Sequence, residues 1–473
     1  MTDKVTVLGG SLDPRMIGGQ RLLIQTCGKT ALYDSGISLE ETESGGVKRV
    51  GLSPELISYL QEKKIVVHVI FVSHSHEDHV GAILDLEKTG LLHPDAKLLC
   101  TPQCAQLMNV VWRDSIRHGS SFGMFQWAKI QSRIQIIERP GPVEVFPGYV
   151  IYAIPNGHIP GSCSYLIPLS DGGYGILTGD WCIHDQPIVQ GACFLDWPPG
   201  VPTPRVILSN DCTLSESKEE PEPYSVRQRQ LVDIVRKSLK KKKKIVIGGF
   251  AQGKIQNTAA TLSAAGISCY IDSPMAIKVC DILSQTTWSD RDIPFPPFGD
   301  ESGIYPVQGP KHRRELIESN EGWVVLTTSG VGDTGPILDY YQAGLSSSRY
   351  IFITTNYLFE GKPAFLIRQV AEKYPTYRGH AKERKVTYTD KDGTVYKDVP
   401  LRATVYHIGL GSHSTLTDSL NVTSHLAQQN GGALDLIICN HGTIGSLEKG
   451  RVILRPFAKR VDIASPPGRE IEI

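Results

Sequence analysis

The sequence predicts an α/β fold built as two domains, and three observations carry that prediction. Apolar strand-like runs alternate with helix-like segments along the whole chain, and Gly and Pro punctuate the alternation. Each strand-like run ends in a polar or acidic residue, as in Thr30-Ala31-Leu32-Tyr33, Gly175-Ile176-Leu177-Thr178 and Val206-Ile207-Leu208-Ser209. At 473 residues the chain exceeds what one simple core organises.

In chain order, Met1-Thr2-Asp3-Lys4 leads into a strand-like run from Val5 to Leu8 and lacks a signal-peptide layout. The β-branched run Val66 to Val72 reads as a buried strand, and Val80-Gly81-Ala82-Ile83-Leu84 as the start of a helix. Val150 to Ile154 reads as another strand. The composition changes after Asp211, where Ser215 to Pro223 is acidic and proline-containing. A helix over Val226 to Leu239 follows, then the basic run Lys240 to Lys244, then a new strand at Ile245-Val246-Ile247. Asp390-Lys391-Asp392-Gly393 is a hairpin turn signal within a charged segment. Boundaries near residue 214 and between 365 and 400 divide the chain into 1–213, 214–385 and 386–473.

Composition narrows the setting. Hydrophobic residues make up 40% and charged residues 21%, the balance of a globular protein in water. No apolar stretch approaches the roughly 20 residues that span a bilayer, so no membrane partner is expected. Ten scattered cysteines without a Cys-x-x-Cys pair suit reduced thiols and a cytoplasmic location. Lys and Arg total 49 against 49 for Asp and Glu, so any surface for a polyanion must be local.

The most constraining stretch is His74-Ser75-His76-Glu77-Asp78-His79. It sits between the C-terminal end of a strand and a helix, the edge where α/β folds build their sites. Imidazole nitrogen with carboxylate oxygen suits zinc, and manganese accepts the same ligands. His158, Asp180 and His441 stand at three further strand ends, which lets distant segments converge on one sheet edge. Singly, each of these is more often a hydrogen-bonded loop residue; together with 74–79 they make a metal site.

These residues resemble the metallo-β-lactamase superfamily. His74-x-His76-x-Asp78-His79, His158 and Asp180 match its metal motifs, and Asp34 in Leu32-Tyr33-Asp34-Ser35-Gly36 matches its first motif. The region after Asp180 resembles the β-CASP nuclease branch, through Asp211-Cys212-Thr213, Phe250-Ala251-Gln252-Gly253, Ile271 to Ala276 and Thr327 to Gly330. His413 and His441 match that branch's later histidine motifs, and Ser75 to Ile83 is most similar to ribonuclease J. The resemblance implies an αββα metallo-β-lactamase sandwich with an inserted α/β β-CASP domain. It implies that His74, His76 and His158 hold one zinc, that Asp78, His79 and His441 hold the other, and that Asp180 bridges both. Asp34 would orient a ligand histidine. Two such ions roughly 3.5 to 4 Å apart activate water and neutralise charge building on a phosphodiester.

The resemblance also implies that His413 gives the leaving oxygen its proton while Asp211 orients it and favours its charged form. The plainer reading is that Asp211 caps the turn before Thr213. The chain departs from the branch at Thr415 and Thr443, where a carboxylate is usual. It also continues only about thirty residues past His441, short of the C-terminal domain usual in ribonuclease J.

Substrate contacts are expected from the amides and hydroxyls of Thr328-Ser329-Gly330 and from Ser412 beside His413, although a tight strand-to-helix turn explains the first equally well. Lys240 to Lys244 and Lys311, Arg313 and Arg314 are basic, but placement at a helix end accounts for the lysine run without a ligand. Cys163, Cys182, Cys212 and Cys439 read as buried packers. The leading expectation is a two-zinc ribonuclease acting on single-stranded RNA, as endonuclease, 5′-exonuclease or both, with a homodimer as the assembly to test. The competing expectations are a DNA nuclease of the cross-link repair type, a small-molecule metallo-hydrolase and an inert scaffold subunit.

Overall fold

The computed structural model describes residues 3–10, 18–41, 47–117, 123–215 and 221–473. Of the acidic stretch Ser215 to Pro223, residues 216–220 therefore lie outside the described residues. The chain divides into two compact units, Met1–Pro221 with Thr286–Ile293 and Ser412–Ile473, and Glu222–Gln285 with Pro294–Gly411.

The first unit contains two seven-stranded sheets. One runs in the order Glu470–Glu472, Lys4–Val7, Leu22–Thr26, Lys29–Tyr33, Val67–Phe71, Leu92–Cys100, Ile134–Ile136. The other runs Ala458–Ile463, Leu434–Asn440, Val206–Asp211, Tyr174–Leu177, Cys163–Pro168, Tyr149–Pro155, Gly141–Phe146. Successive strand residues face opposite sides, and the apolar residues use both. Val69 and Phe71 of the first sheet share one buried core with Leu436 and Ile438 of the second, so the two sheets face each other. Their alternates face outward. Ile70 and Val72 pack with Met108 and Trp112 of the helix Pro102–Arg117. Ile437 and Cys439 pack with Val422 and Leu426 of the helix Leu416–Gln429. Strands apolar on both faces thus produce helix, sheet, sheet, helix layering, the sandwich the resemblance implies.

The second unit carries a six-stranded parallel sheet, in the order Ile304–Pro306, Cys269–Asp272, Trp323–Thr327, Lys244–Gly248, Tyr350–Thr354, Thr404–His407. Helices such as Lys254–Ala264 and Ile337–Gly344 connect its strands. The turn signal at Asp390 to Gly393 does join a hairpin, Lys385–Thr389 with Val395–Pro400. That hairpin buries Val386 and Tyr388 in the core of the second unit, and Thr404–His407 pairs with Tyr350–Thr354. The chain therefore returns to the first unit at Ser412, later than the boundary at 386 read from charge and composition.

One expected element shifts. The helix read from Val80 begins at Glu77 and ends at Val80, followed by short helical turns at Ile83–Asp85 and Leu86–Thr89. Glu77 and Asp78 occupy its first turn, where carboxylates meet the positive end of the helix dipole. No described helix is long and apolar enough to cross a membrane.

Candidate metal centre

The site is built where strands of both sheets end. After Val67–Phe71 the chain runs without regular structure to His76, and Cys163 N–H donates to the Ser73 carbonyl at 2.9 Å, fixing this segment beside the second sheet. The turn 34–37 clamps the helical turn from the other side. Ser35 N–H donates to His79 O at 2.7 Å and Ile37 N–H to Glu77 O at 3.2 Å. This contact requires Gly36, because a Cβ there would lie 1.6 Å from the Asp78 carbonyl oxygen. Asp34 and His441 each leave a strand with positive φ, at 53° and 50°. Such backbone is uncommon outside glycine, and it clusters at functional sites.

Three groups of side chains come within ligand range of one another: His74, His76, His158 and Asp180; Asp78, His79 and His441; and Asp180, Asp211, His413 and His441. In the first, His76 Nδ1 lies 3.0 Å from His74 Nε2 and 3.1 Å from His158 Nε2. Asp180 Oδ2 is 3.7 Å from both Nε2 atoms. In the second, His441 Nε2 lies 3.3 Å from Asp78 Oδ2. Asp180 Oδ1 is 3.4 Å from His79 Nε2, so one carboxylate faces both groups. A tetrahedral ion about 2.0–2.1 Å from nitrogen and oxygen ligands spaces them by roughly 3.3 Å, which these separations bracket. Among the described residues, Asp180 Oδ1 and His79 Nε2 are buried without a hydrogen-bond partner, as atoms turned toward an ion would be. The residues fit two divalent metal ions, and the donor set suits zinc.

The remaining nitrogens are held. His79 Nδ1–H donates to Asp34 Oδ2 at 2.8 Å, and Asp34 also accepts from Ser73 N–H and Ser73 O–H, each at 2.8 Å. His158 Nδ1–H donates to the Ser412 carbonyl at 2.7 Å. Each bond engages Nδ1 and turns Nε2 toward the centre.

Electrostatics divide the two groups. Burial, with neighbouring imidazoles, holds His74 and His158 well below the usual histidine range and brings His76 down to about 4. All three are neutral, the form that ligates a metal. Burial also opposes charge on His79, but Asp180, Asp34 and Asp78 outweigh it and push that imidazole up to about 10. Burial raises Asp180 and Asp78, yet the surrounding histidines hold both carboxyls well below their usual range.

Asp211 accepts from His413 Nδ1–H at 2.9 Å through Oδ2, and from Thr213 N–H and O–H at 2.9 and 2.6 Å through Oδ1. The turn-capping bond and the histidine-orienting bond coexist on one carboxylate. The His413 side chain is 23% exposed, against 6% or less for His74, His79, His158 and His441, so it reaches solvent where those residues do not.

Ser412, named in the sequence analysis for a phosphate contact, also supports the site through its carbonyl, which accepts from His158. Thr328, Ser329 and Gly330 lie in the second unit, after Trp323–Thr327. Ser329 Oγ donates to Asp333 Oδ1 and accepts from the Gly332 and Asp333 amides, and Thr328 Oγ1 donates to Ser273 Oγ. Those bonds are the ones a tight strand-to-helix turn makes for itself. Lys244 donates to the Ile317 carbonyl, and Arg313 pairs with Asp272 and Asp339, so these cations serve the fold. The four cysteines near the site are buried, and none of the three ligand groups includes a cysteine. Glu77 is likewise absent from those groups. Thr415 and Thr443, which stand where a carboxylate is usual in the β-CASP branch, accept from Asp418 N–H and Ser446 N–H as the N-caps of Leu416–Gln429 and Ile444–Leu454. Sequence reasoning did not single out Ser73, whose hydroxyl joins Asp34 to the ligand histidines, or Thr213. Serine and threonine at strand ends are too common to signal such roles.

A family model for the metallo-β-lactamase superfamily matches residues 22–93. The matched segment carries Asp34 and His74 to His79, and the two-sheet sandwich and the paired ligand groups extend the similarity to that superfamily beyond it. The chain's relatives include ribonuclease J-like proteins of the β-CASP branch. The chain is 23% identical to the transcription termination factor FttA of Pyrococcus abyssi over 381 residues, which cover 76% of this chain and 56% of that protein. It is 23% identical to ribonuclease TTHA0252 of Thermus thermophilus over 417 residues, covering 84% and 85%. It is 31% identical to ribonuclease J of Helicobacter pylori over 185 residues, covering 39% and 24%. The chain thus spans little more than half the length of the termination factor.

Proposed function

We propose that this protein is a two-zinc ribonuclease that hydrolyses phosphodiester bonds of single-stranded RNA. The observation that supports the reading is His413, held by Asp211 at 2.9 Å and grouped with Asp180 and His441, its side chain 23% exposed where those of His74, His79, His158 and His441 are 6% or less. His74, His76 and His158 would hold one ion, Asp78, His79 and His441 the other, and Asp180 would face both. When bound, the ions supply an activated water and neutralise charge on the phosphate. The chain's own work is separate. Asp34 and the Ser412 carbonyl hold ligand imidazoles in one tautomer. Asp211 fixes the His413 proton at Nδ1, leaving Nε2 to carry the proton for the leaving oxygen. A thioester hydrolase expels a thiolate, a better leaving group that needs no such donor. The similarity to ribonucleases of Thermus thermophilus and Helicobacter pylori supports RNA over DNA.

The test supplies purified, zinc-loaded protein with 5′-labelled single-stranded RNA, matched DNA and a lactone. RNA cleavage is expected, with His413→Ala about 10²- to 10⁴-fold slower and Asp180→Ala inactive. Equal cleavage of DNA, or lactone turnover that His413→Ala leaves unchanged, refutes the proposal. A zinc-loaded chain that cleaves nothing marks an inert scaffold.

A further inference from the structure

We infer that Thr213 is a positioning residue that fixes the tautomer of His441, acting through the same carboxylate that holds His413. The Thr213 hydroxyl has one proton and three neighbours, Asp211 Oδ1 and His441 Nδ1 at 2.6 Å each and the more distant His441 carbonyl at 3.3 Å. An ionised carboxylate only accepts, and Thr213 N–H already donates to the same Asp211 oxygen at 2.9 Å. The hydroxyl proton therefore goes to Asp211, and the hydroxyl lone pair accepts from His441 Nδ1–H. The proton sits on Nδ1, so in the neutral ring that ligates a metal Nε2 is bare, and Nε2 is the atom 3.3 Å from Asp78 Oδ2. The backbone holds the two residues in register, because Cys212 N–H donates to the carbonyls of Asn440 and His441 at 3.0 and 3.1 Å.

The hydroxyl also keeps His441 from competing partners. Nδ1 lies 3.4 Å from Asp211 Oδ1 and 3.4 Å from Asp180 Oδ1. Without the threonine oxygen, either carboxylate is free to capture the ring, and Asp180 faces both ligand groups. The His441 side chain is 6% exposed, so bulk water does not stand in for the hydroxyl. His413, Asp211, Thr213 and His441 form one continuous chain from the proton donor to a metal-site histidine. The inference rests on the two-ion reading of the site but not on RNA as substrate. A wild-type chain that binds two ions and leaves RNA intact would sink the ribonuclease proposal alone.

The test titrates Zn²⁺ into metal-free protein against a chelating indicator. Thr213→Val is expected to weaken one of the two ions about 10- to 100-fold and to leave the other unchanged. Thr213→Ser, which restores the hydroxyl, is expected to restore both. Equal binding by wild type and Thr213→Val, or equal loss in the Val and Ser variants, overturns the inference. Should Thr213→Val not fold, the wild-type protein still decides the matter. With ¹⁵N-labelled histidine, the zinc-loaded chain must show His441 protonated on Nδ1, and protonation on Nε2 overturns the inference.

Discussion

Asp34→Asn isolates what a buried carboxylate does for a histidine beside it. Asp34 is fully buried and accepts three hydrogen bonds at 2.8 Å, from Ser73 N–H, Ser73 O–H and His79 Nδ1–H. The Ser73 amide cannot rotate, so the asparagine carbonyl must face it. The new NH₂ group then replaces Oδ2 and points at His79 Nδ1. Two donors cannot share that contact, and the imidazole proton moves to Nε2, the nitrogen 3.4 Å from Asp180 Oδ1. The lone pair meant for the ion is lost. Losing such a supporting carboxylate weakens metal binding by about 10- to 100-fold, or about 1.4 to 2.7 kcal/mol. Asp34→Ala is harsher, because three buried donors lose their acceptor at about 1–3 kcal/mol each. Chelator competition with Zn²⁺ measures the first effect and urea unfolding of the metal-free protein the second. The reasoning fails if Asp34→Asn binds both ions within threefold of wild type, or if Asp34→Ala unfolds at the wild-type urea midpoint.

Two further outcomes follow from other parts of the molecule. Thr415 and Thr443 cap helices, so Thr415→Ala and Thr443→Ala should each cost about 0.5–2 kcal/mol in urea unfolding, with aspartate at either position tolerated; stability unchanged by alanine would remove the capping account. Burial, aided by Arg368, lowers His407 to about 4, and its Nδ1 lies 2.9 Å from Thr354 Oγ1. Its contribution is therefore full above the unfolded-state value near 6.5 and is lost as pH falls toward 4. Wild type should lose about 2–3 kcal/mol more than His407→Asn between pH 7.5 and 4.5 in urea unfolding, and parallel losses would contradict this.

Much of the centre was legible because its ligands stand at strand ends, and strands announce themselves by apolar runs. His74 to His79 after Val67–Phe71 and His441 after Leu434–Asn440 are of this kind. The helical start at Glu77 was not legible, since its first turn is made of the metal-site residues themselves rather than of an apolar stripe. The carbonyl role of Ser412 was also hidden, because every residue has a carbonyl and only the fold brings this one to His158. Ser73 and Thr213 act on residues 39 and 228 positions away, beyond the reach of any local pattern. The charged segment from Gly379 to Lys397 drew the boundary too early because its hairpin is mostly exposed, with Val386 and Tyr388 its anchors in the core. The later return at Ser412 depends on a parallel pairing, Tyr350–Thr354 with Thr404–His407, which sequence alone does not specify.

The central claim is a centre of two ions that both face Asp180, with His413 beside the metals rather than binding them. Zinc content per chain, measured after removal of loosely held metal, tests it most directly. The account predicts two zinc ions in the wild type and in His413→Ala, and the loss of at least one in Asp180→Ala. A single ion in the wild type, or an ion lost with His413, would contradict it.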